Sequence, residues 1–126
     1  MIIAVGTDIV EIARIEKALQ QHGRKFAERI LCPGELIRFD EAAQSAAYLA
    51  KRFAAKEALA KALGTGIGAV SWQDMETENT AKGRPQFRLS ATAQQVMSDL
   101  GADEALLSLS DEQHYAIAFV VLSKRI

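Results

Sequence analysis

The sequence predicts an α+β fold, a small antiparallel sheet packed against a long helix, on three observations. Helical spacing of apolar residues dominates the first half of the chain, and strand-like runs dominate the second. The stretch from Ala42 to Leu63 is rich in alanine, leucine and lysine, contains neither glycine nor proline, and stops at Gly64. Two apolar runs, Ala105 to Ser110 and Tyr115 to Ser123, flank the polar Asp111-Glu112-Gln113-His114, as two antiparallel strands around a turn would.

The elements follow in order. Ile2 to Val5 is β-rich and reads as a first strand, after which Ile12, Ile15 and Leu19 take up helical spacing. The change is expected near Asp8, because Asp8 with Glu11 three residues on has the spacing of a capping box. His22-Gly23 supplies a stop for that helix. A short second helix, Arg24 to Ile30, leads to a loop at Cys32-Pro33-Gly34, and the long helix then spans Ala42 to Leu63. Ser71 to Thr77 and Gln86 to Leu89 form an expected hairpin around Lys82-Gly83-Arg84-Pro85. Ser90-Ala91-Thr92 opens a further helix that ends at Gly101. No fixed-period repeat and no Pro-, Gly- or Ser-rich linker interrupts the chain, so residues 1–126 are expected to form one domain.

Composition narrows the function. With 15 Lys+Arg against 16 Asp+Glu, the net charge of -1 creates no global field for nucleic acid or anionic lipid, so neither partner is expected. An anionic ligand has to be held locally. The single cysteine, Cys32, excludes an internal disulfide and suits a reducing cytoplasm. The apolar opening is cut short by Gly6, Thr7 and Asp8, well before the length of a membrane span.

Two acids draw attention. Leu49, Phe53, Glu57, Ala60 and Gly64 share one helix face, which places Glu57 among apolar neighbours and calls for a compensating cation. Lys61, one turn later, would satisfy it as an ordinary helix pair. Asp8 reads equally as a plain helix cap. Alternatively, Asp8 and Glu57 together could hold magnesium, which takes one or two protein carboxylates and completes its shell with water and phosphate oxygens.

Gly64-Thr65-Gly66-Ile67-Gly68 follows a helix, not a strand, and matches neither nucleotide-binding glycine signature. It is either a helix cap with a flexible exit or a loop that lets a ligand approach the backbone. Lys56, Lys61, Lys82 and Arg84 are cations that could meet phosphates or simply face solvent. His22 and His114 lack metal-ligand spacing and read as structural or surface groups, and Cys32 has no neighbour that would mark a nucleophile.

Two segments carry a resemblance that covers essentially the whole chain. Ile3-Ala4-Val5-Gly6-Thr7-Asp8-Ile9-Val10-Glu11-Ile12, and the run Arg52-Phe53-Ala54-Ala55-Lys56-Glu57-Ala58-Leu59-Ala60-Lys61-Ala62-Leu63-Gly64-Thr65-Gly66, resemble the signatures of the holo-acyl-carrier-protein synthases of the 4'-phosphopantetheinyl transferase superfamily. Gly83-Arg84-Pro85 and Ser108-Leu109-Ser110 with Tyr115-Ala116 fit the same pattern. The resemblance implies a magnesium-dependent enzyme that moves 4'-phosphopantetheine from coenzyme A to a serine of acyl carrier protein, for fatty acid biosynthesis. Asp8 and Glu57 would then be the metal ligands, and Lys61 would contact the coenzyme phosphates.

Arg52, Phe53, Gly64, Gly66, Arg84 and Pro85 would belong to the coenzyme-binding surface. The serine proton would pass to Glu57 or to a water on the metal. The family's habit implies a homotrimer with sites between subunits. Arg14, at a basic position of the opening motif, and Arg24 would face the acidic carrier protein, alongside Lys17, Lys25 and Arg29. One position departs from the pattern, because Asp111 stands where many relatives have histidine after the Ser-x-Ser segment. Asp111 either assists proton transfer as a catalytic residue or merely starts a turn.

Overall fold

The computed structural model describes residues 1–126. Strand β1 (Ile2–Glu11) is followed by α1 (Ile12–His22), α2 (Arg24–Ile30), α3 (Pro33–Glu41) and the long α4 (Ser45–Leu63). A 3-10 turn at Trp72–Asp74 leads into β2 (Met75–Asn79) and β3 (Pro85–Leu89), then α5 (Ala91–Asp99), β4 (Glu104–Asp111) and β5 (Tyr115–Ser123). The expected α+β class is observed. β5 is the central strand of an antiparallel sheet in the order β1-β5-β4, and β2 with β3 forms a separate hairpin.

Alternation along β5 explains how the sheet is covered. Ala116, Ala118, Val120 and Leu122 are buried, whereas Tyr115, Ile117 and Phe119 stay 41–45% exposed on the opposite side. α4 lies on the first face, and the small residues there allow it to come very close. A Cβ added at Gly6 would stand 2.0 Å from the Ala58 carbonyl oxygen, so glycine is required by contact with α4. Ala54, Ala55, Ala58 and Ala62 sit with Val120 and Leu122 in the larger core. A second core gathers Ile15, Ala27, Ile30 and Phe39 from the first three helices, with Leu31 just after α2, against Leu49 and Ala50. Burial of each large aliphatic side chain in these clusters contributes roughly 1.5–3 kcal/mol.

Three local expectations are corrected. β1 does not end at Asp8, because pairing with β5 continues to Glu11–Tyr115. Asp8 is therefore a mid-strand residue, and Glu11 occupies the cap position of α1 without a side-chain hydrogen bond. The Ile12 amide instead donates to the His114 carbonyl at 2.8 Å, so tertiary pairing overrides the local capping signal.

The segment read as a loop at Cys32-Pro33-Gly34 starts α3, with Pro33 in the first turn and Glu35 Oε1 accepting from the Cys32 amide at 2.8 Å. Ser71 to Asp74 is a capped 3-10 turn, and the strand begins only at Met75. By contrast, Gly64 caps α4 in the left-handed region with φ 78°, and the Ser90 hydroxyl caps α5, both as expected.

Candidate active site

The register of β1 decides which of its side chains meet α4. Asp8 lies opposite Ala118, and it faces the same side of the sheet as Gly6 and Val10. Glu57 projects from α4 towards that strand. Asp8 and Glu57 line one cavity of about 350 Å³ with Val10, Arg14, Phe26 and Phe53. The two acids singled out in the sequence thus converge across the helix–sheet contact.

Charge in this cavity is only partly balanced. Lys61 Nζ donates to Asp8 Oδ1 at 2.9 Å and to the Thr7 carbonyl at 3.0 Å, so it crosses to the strand instead of pairing with Glu57 on its own helix. The Glu57 carboxyl is pushed above the usual glutamate range, first by burial and then by the negative charge of Asp8, with Lys61 acting the other way. The Asp8 and Glu57 carboxylates, with the Thr7 carbonyl beside Asp8, form a hard-oxygen donor set of the kind magnesium takes.

The other candidates are distributed. Phe53 walls the same cavity and packs on Trp72, with ring centroids 5.1 Å apart. Arg52 points elsewhere on α4. It is 5% exposed, its guanidinium carbon lies 4.5 Å from the Tyr48 ring centroid, and both its Nε and the Tyr48 hydroxyl lack a hydrogen-bond partner. Gly64 and Gly66 are exposed just past the C-terminus of α4, both with positive φ, and their loop amides reach back to Ala60. Arg84 and Pro85, on the β2–β3 hairpin, line a different cavity against α5 and β4.

Asp111 is not brought to the pair of acids. It ends β4, on the far side of β5 from β1, and its carboxylate lies 3.5 Å from Lys51 Nζ. Arg14 is exposed at the mouth of the acid cavity and forms no ion pair. Arg24 is exposed but already engaged, by Asp40 at 2.7 and 3.2 Å and by Glu28 at 2.7 Å. Lys17, Lys25 and Arg29 carry no intramolecular ion pair. His22 and His114 are exposed.

Lys56 corrects another expectation, since it meets no solvent and cannot reach a phosphate. It is fully buried, and its ammonium donates to Glu35 Oε1 and to the Ile30 carbonyl at 2.7 Å each and to the Trp72 carbonyl at 3.1 Å. Glu35 is also fully buried, and Thr77 donates to it through both amide and hydroxyl. Glu35 is not among the residues singled out from the sequence, because it follows the expected loop at Cys32-Pro33-Gly34. The signal that could have found it is proline at the first turn followed by an acid, the pattern of a helix start.

Comparison with known proteins identifies the family. Residues 4–120 match the profile of the 4'-phosphopantetheinyl transferase superfamily. A holo-[acyl-carrier-protein] synthase from Halorhodospira halophila is 51% identical over 123 residues, covering 97% of this chain and 98% of the relative. The crystal structure of holo-[acyl-carrier-protein] synthase from Neisseria meningitidis superposes with a TM-score of 0.92 at 46% identity, covering 98% of this chain and 100% of that one. The Helicobacter pylori holo-[acyl-carrier-protein] synthase in complex with coenzyme A gives 0.83 at 37% identity, over 94% and 99% of the two chains. With paired acids on β1 and α4, a matching profile and full-length likeness to solved relatives, the chain belongs to the 4'-phosphopantetheinyl transferase superfamily.

Proposed function

We propose that this protein transfers the 4'-phosphopantetheine group of coenzyme A to a serine of apo-acyl carrier protein, giving holo-acyl carrier protein and adenosine 3',5'-bisphosphate for fatty acid biosynthesis. The observation that carries the reading is the convergence of Asp8 and Glu57 in one cavity with Lys61 on Asp8. Magnesium would be held by Asp8 and Glu57, where it supplies positive charge against the diphosphate and the leaving phosphate.

The chain's own groups do the rest. Lys61 has a half-exposed, flexible side chain that can turn from Asp8 to a phosphate oxygen. The carrier serine oxygen bonds to the pantetheine phosphorus as the bridging phosphorus–oxygen bond breaks. The electron pair leaves with adenosine 3',5'-bisphosphate, and the serine proton passes to a Glu57 carboxylate oxygen. Glu57 lines the same cavity as Asp8, which puts its carboxylate within the site where that proton is released. Phe53 and Phe26 keep that corner poor in water, which strengthens every charge interaction within it.

The remaining residues are assigned on placement. Arg52 offers a buried cation, Gly64 and Gly66 an exposed loop without side chains, to the coenzyme, and Arg14 extends the site towards the acidic carrier. Arg24, neutralised locally, contributes less. Arg84 and Pro85 line a different cavity from the acids of their own chain, which supports a homotrimer in which each site takes them from a neighbour. The exposed apolar face of the sheet, with Val5, Ile9, Leu106, Ile117 and Phe119, is a fitting contact for that assembly. Asp111, tied to Lys51 away from the acids of its own chain, receives no step in the reaction. The 126 residues act as one domain, and the free, buried Cys32 fits a cytoplasmic setting.

The test is incubation with apo-acyl carrier protein and coenzyme A, with magnesium or with a chelator. Mass spectrometry should show the added prosthetic arm only with the metal. No product beside a working control enzyme would defeat the proposal.

A further inference from the structure

The buried ammonium of Lys56 lies next in sequence to Glu57 and on another side of α4. We propose that Lys56 is a positioning residue that holds α2, the carrier-facing wall of the site, in register with the catalytic helix. The assignment rests on the transferase reading. Only one hydrogen bond joins α2 to α4, and it runs from Lys56 Nζ to the Ile30 carbonyl at 2.7 Å. α2 carries Phe26, which lines the cavity of Asp8 and Glu57, and the unpaired exposed cations Lys25 and Arg29. The same ammonium holds Trp72, whose ring supports Phe53 on the far wall. Glu35 closes the joint by tying Lys56 to the Cys32 amide and to Thr77 on β2.

Every polar atom of the pair is satisfied, which gives the joint one geometry instead of several. The coenzyme residues Arg52, Lys61, Gly64 and Gly66 lie on α4 or directly after it, and none is on α2. Loosening it should therefore let α2 drift while the coenzyme side stays in place. A buried pair that served stability alone would show no such split.

The decisive variant is Lys56→Met with Glu35→Gln, which removes both charges and leaves neither ion stranded, unlike Lys56→Met alone. Steady-state kinetics should show KM for acyl carrier protein raised about tenfold with KM for coenzyme A within about twofold, the signature of one displaced binding wall. Hydrogen exchange should quicken in Arg24–Ile30 and stay unchanged in Ser45–Leu63. Wild-type kinetics for both substrates would confine the pair to stability and overturn the inference. Equal rises in both KM values, with faster exchange in α4, would do the same. If the variant does not fold, wild-type exchange decides: the Cys32 and Thr77 amides should exchange as slowly as those of α4, and fast exchange there removes the joint. Wild-type protein inactive towards carrier protein would instead defeat the transferase reading itself.

Discussion

Replacing Gly6 with alanine tests whether the distance between β1 and α4 sets the active site. The new methyl carbon would lie 2.0 Å from the Ala58 carbonyl oxygen and 2.9 Å from the Ala62 nitrogen, both backbone atoms that no rotamer change can move. Reaching the 3.4 Å of ordinary contact requires a shift of about 1.4 Å between strand and helix. Overpacking of this kind costs about 1–3 kcal/mol, and backbone obstacles put Gly6→Ala at the upper end. In a chain of this size that lowers Tm by on the order of 10 °C.

The same shift separates Asp8 from Glu57, and a displacement near 1 Å costs on the order of a hundredfold in rate. Calorimetry with single-turnover transfer measures both effects. Gly34→Ala is the control, because there the added carbon meets only the end of the Glu76 side chain at 2.7 Å, and it should fold and react like the wild type. A Gly6→Ala protein with unchanged Tm and transfer rate would show that the close approach does not govern the site.

Other outcomes follow from single contacts. Glu57 holds its proton above the usual range, so its effect on stability is present at low pH and lost as pH rises through the raised value. Glu57→Gln should therefore unfold no earlier than wild type at neutral pH without divalent ions, yet fail to bind manganese in an EPR titration. Hydrogen bonds from Ser71 and Ser90 hold Asp74 below the ordinary carboxylate range, so its contribution is complete above the unfolded value and fades as pH falls through the lowered one. Urea unfolding of Asp74→Asn should show a flatter acid limb, with a loss of about 1 kcal/mol near neutrality. Burial pushes the Cys32 thiol up to about 11, and alkylation near neutral pH should need denaturant. Phe119→Glu, on the exposed sheet face, should leave the circular dichroism intact and give a monomer by light scattering.

The long helix, the β4–β5 pair and the Ser90 and Gly64 caps were legible because periodicity and capping chemistry are local properties. The extent of β1 was not. Its last residues look like a helix start, and only Tyr115 and Ala116, distant in the chain, hold them as strand. α3 went unseen because a cysteine cap ahead of Pro33-Gly34 mimics a turn, and the Lys56–Glu35 joint that gives it purpose is tertiary. At the site, both acids were identified from sequence motifs, but spacing suggested that Lys61 would pair with Glu57. The structure sends it to Asp8, because β1 brings that carboxylate within 2.9 Å of the ammonium. The separation of Asp111 from the acids could not be read locally, as it depends on β5 lying between the two edge strands.

The strand order also constrains how the molecule is made. The hydroxyl of Thr7 bonds to a carbonyl 111 residues later, so the first strand to leave the ribosome waits for the last before its own sheet exists. Contacts so distant in sequence slow folding and leave β1 and one face of α4 uncovered in the nascent chain. Asp8 and Glu57 consequently come together only after synthesis is nearly finished, and a polypeptide halted before β5 would hold both residues without the cavity they share.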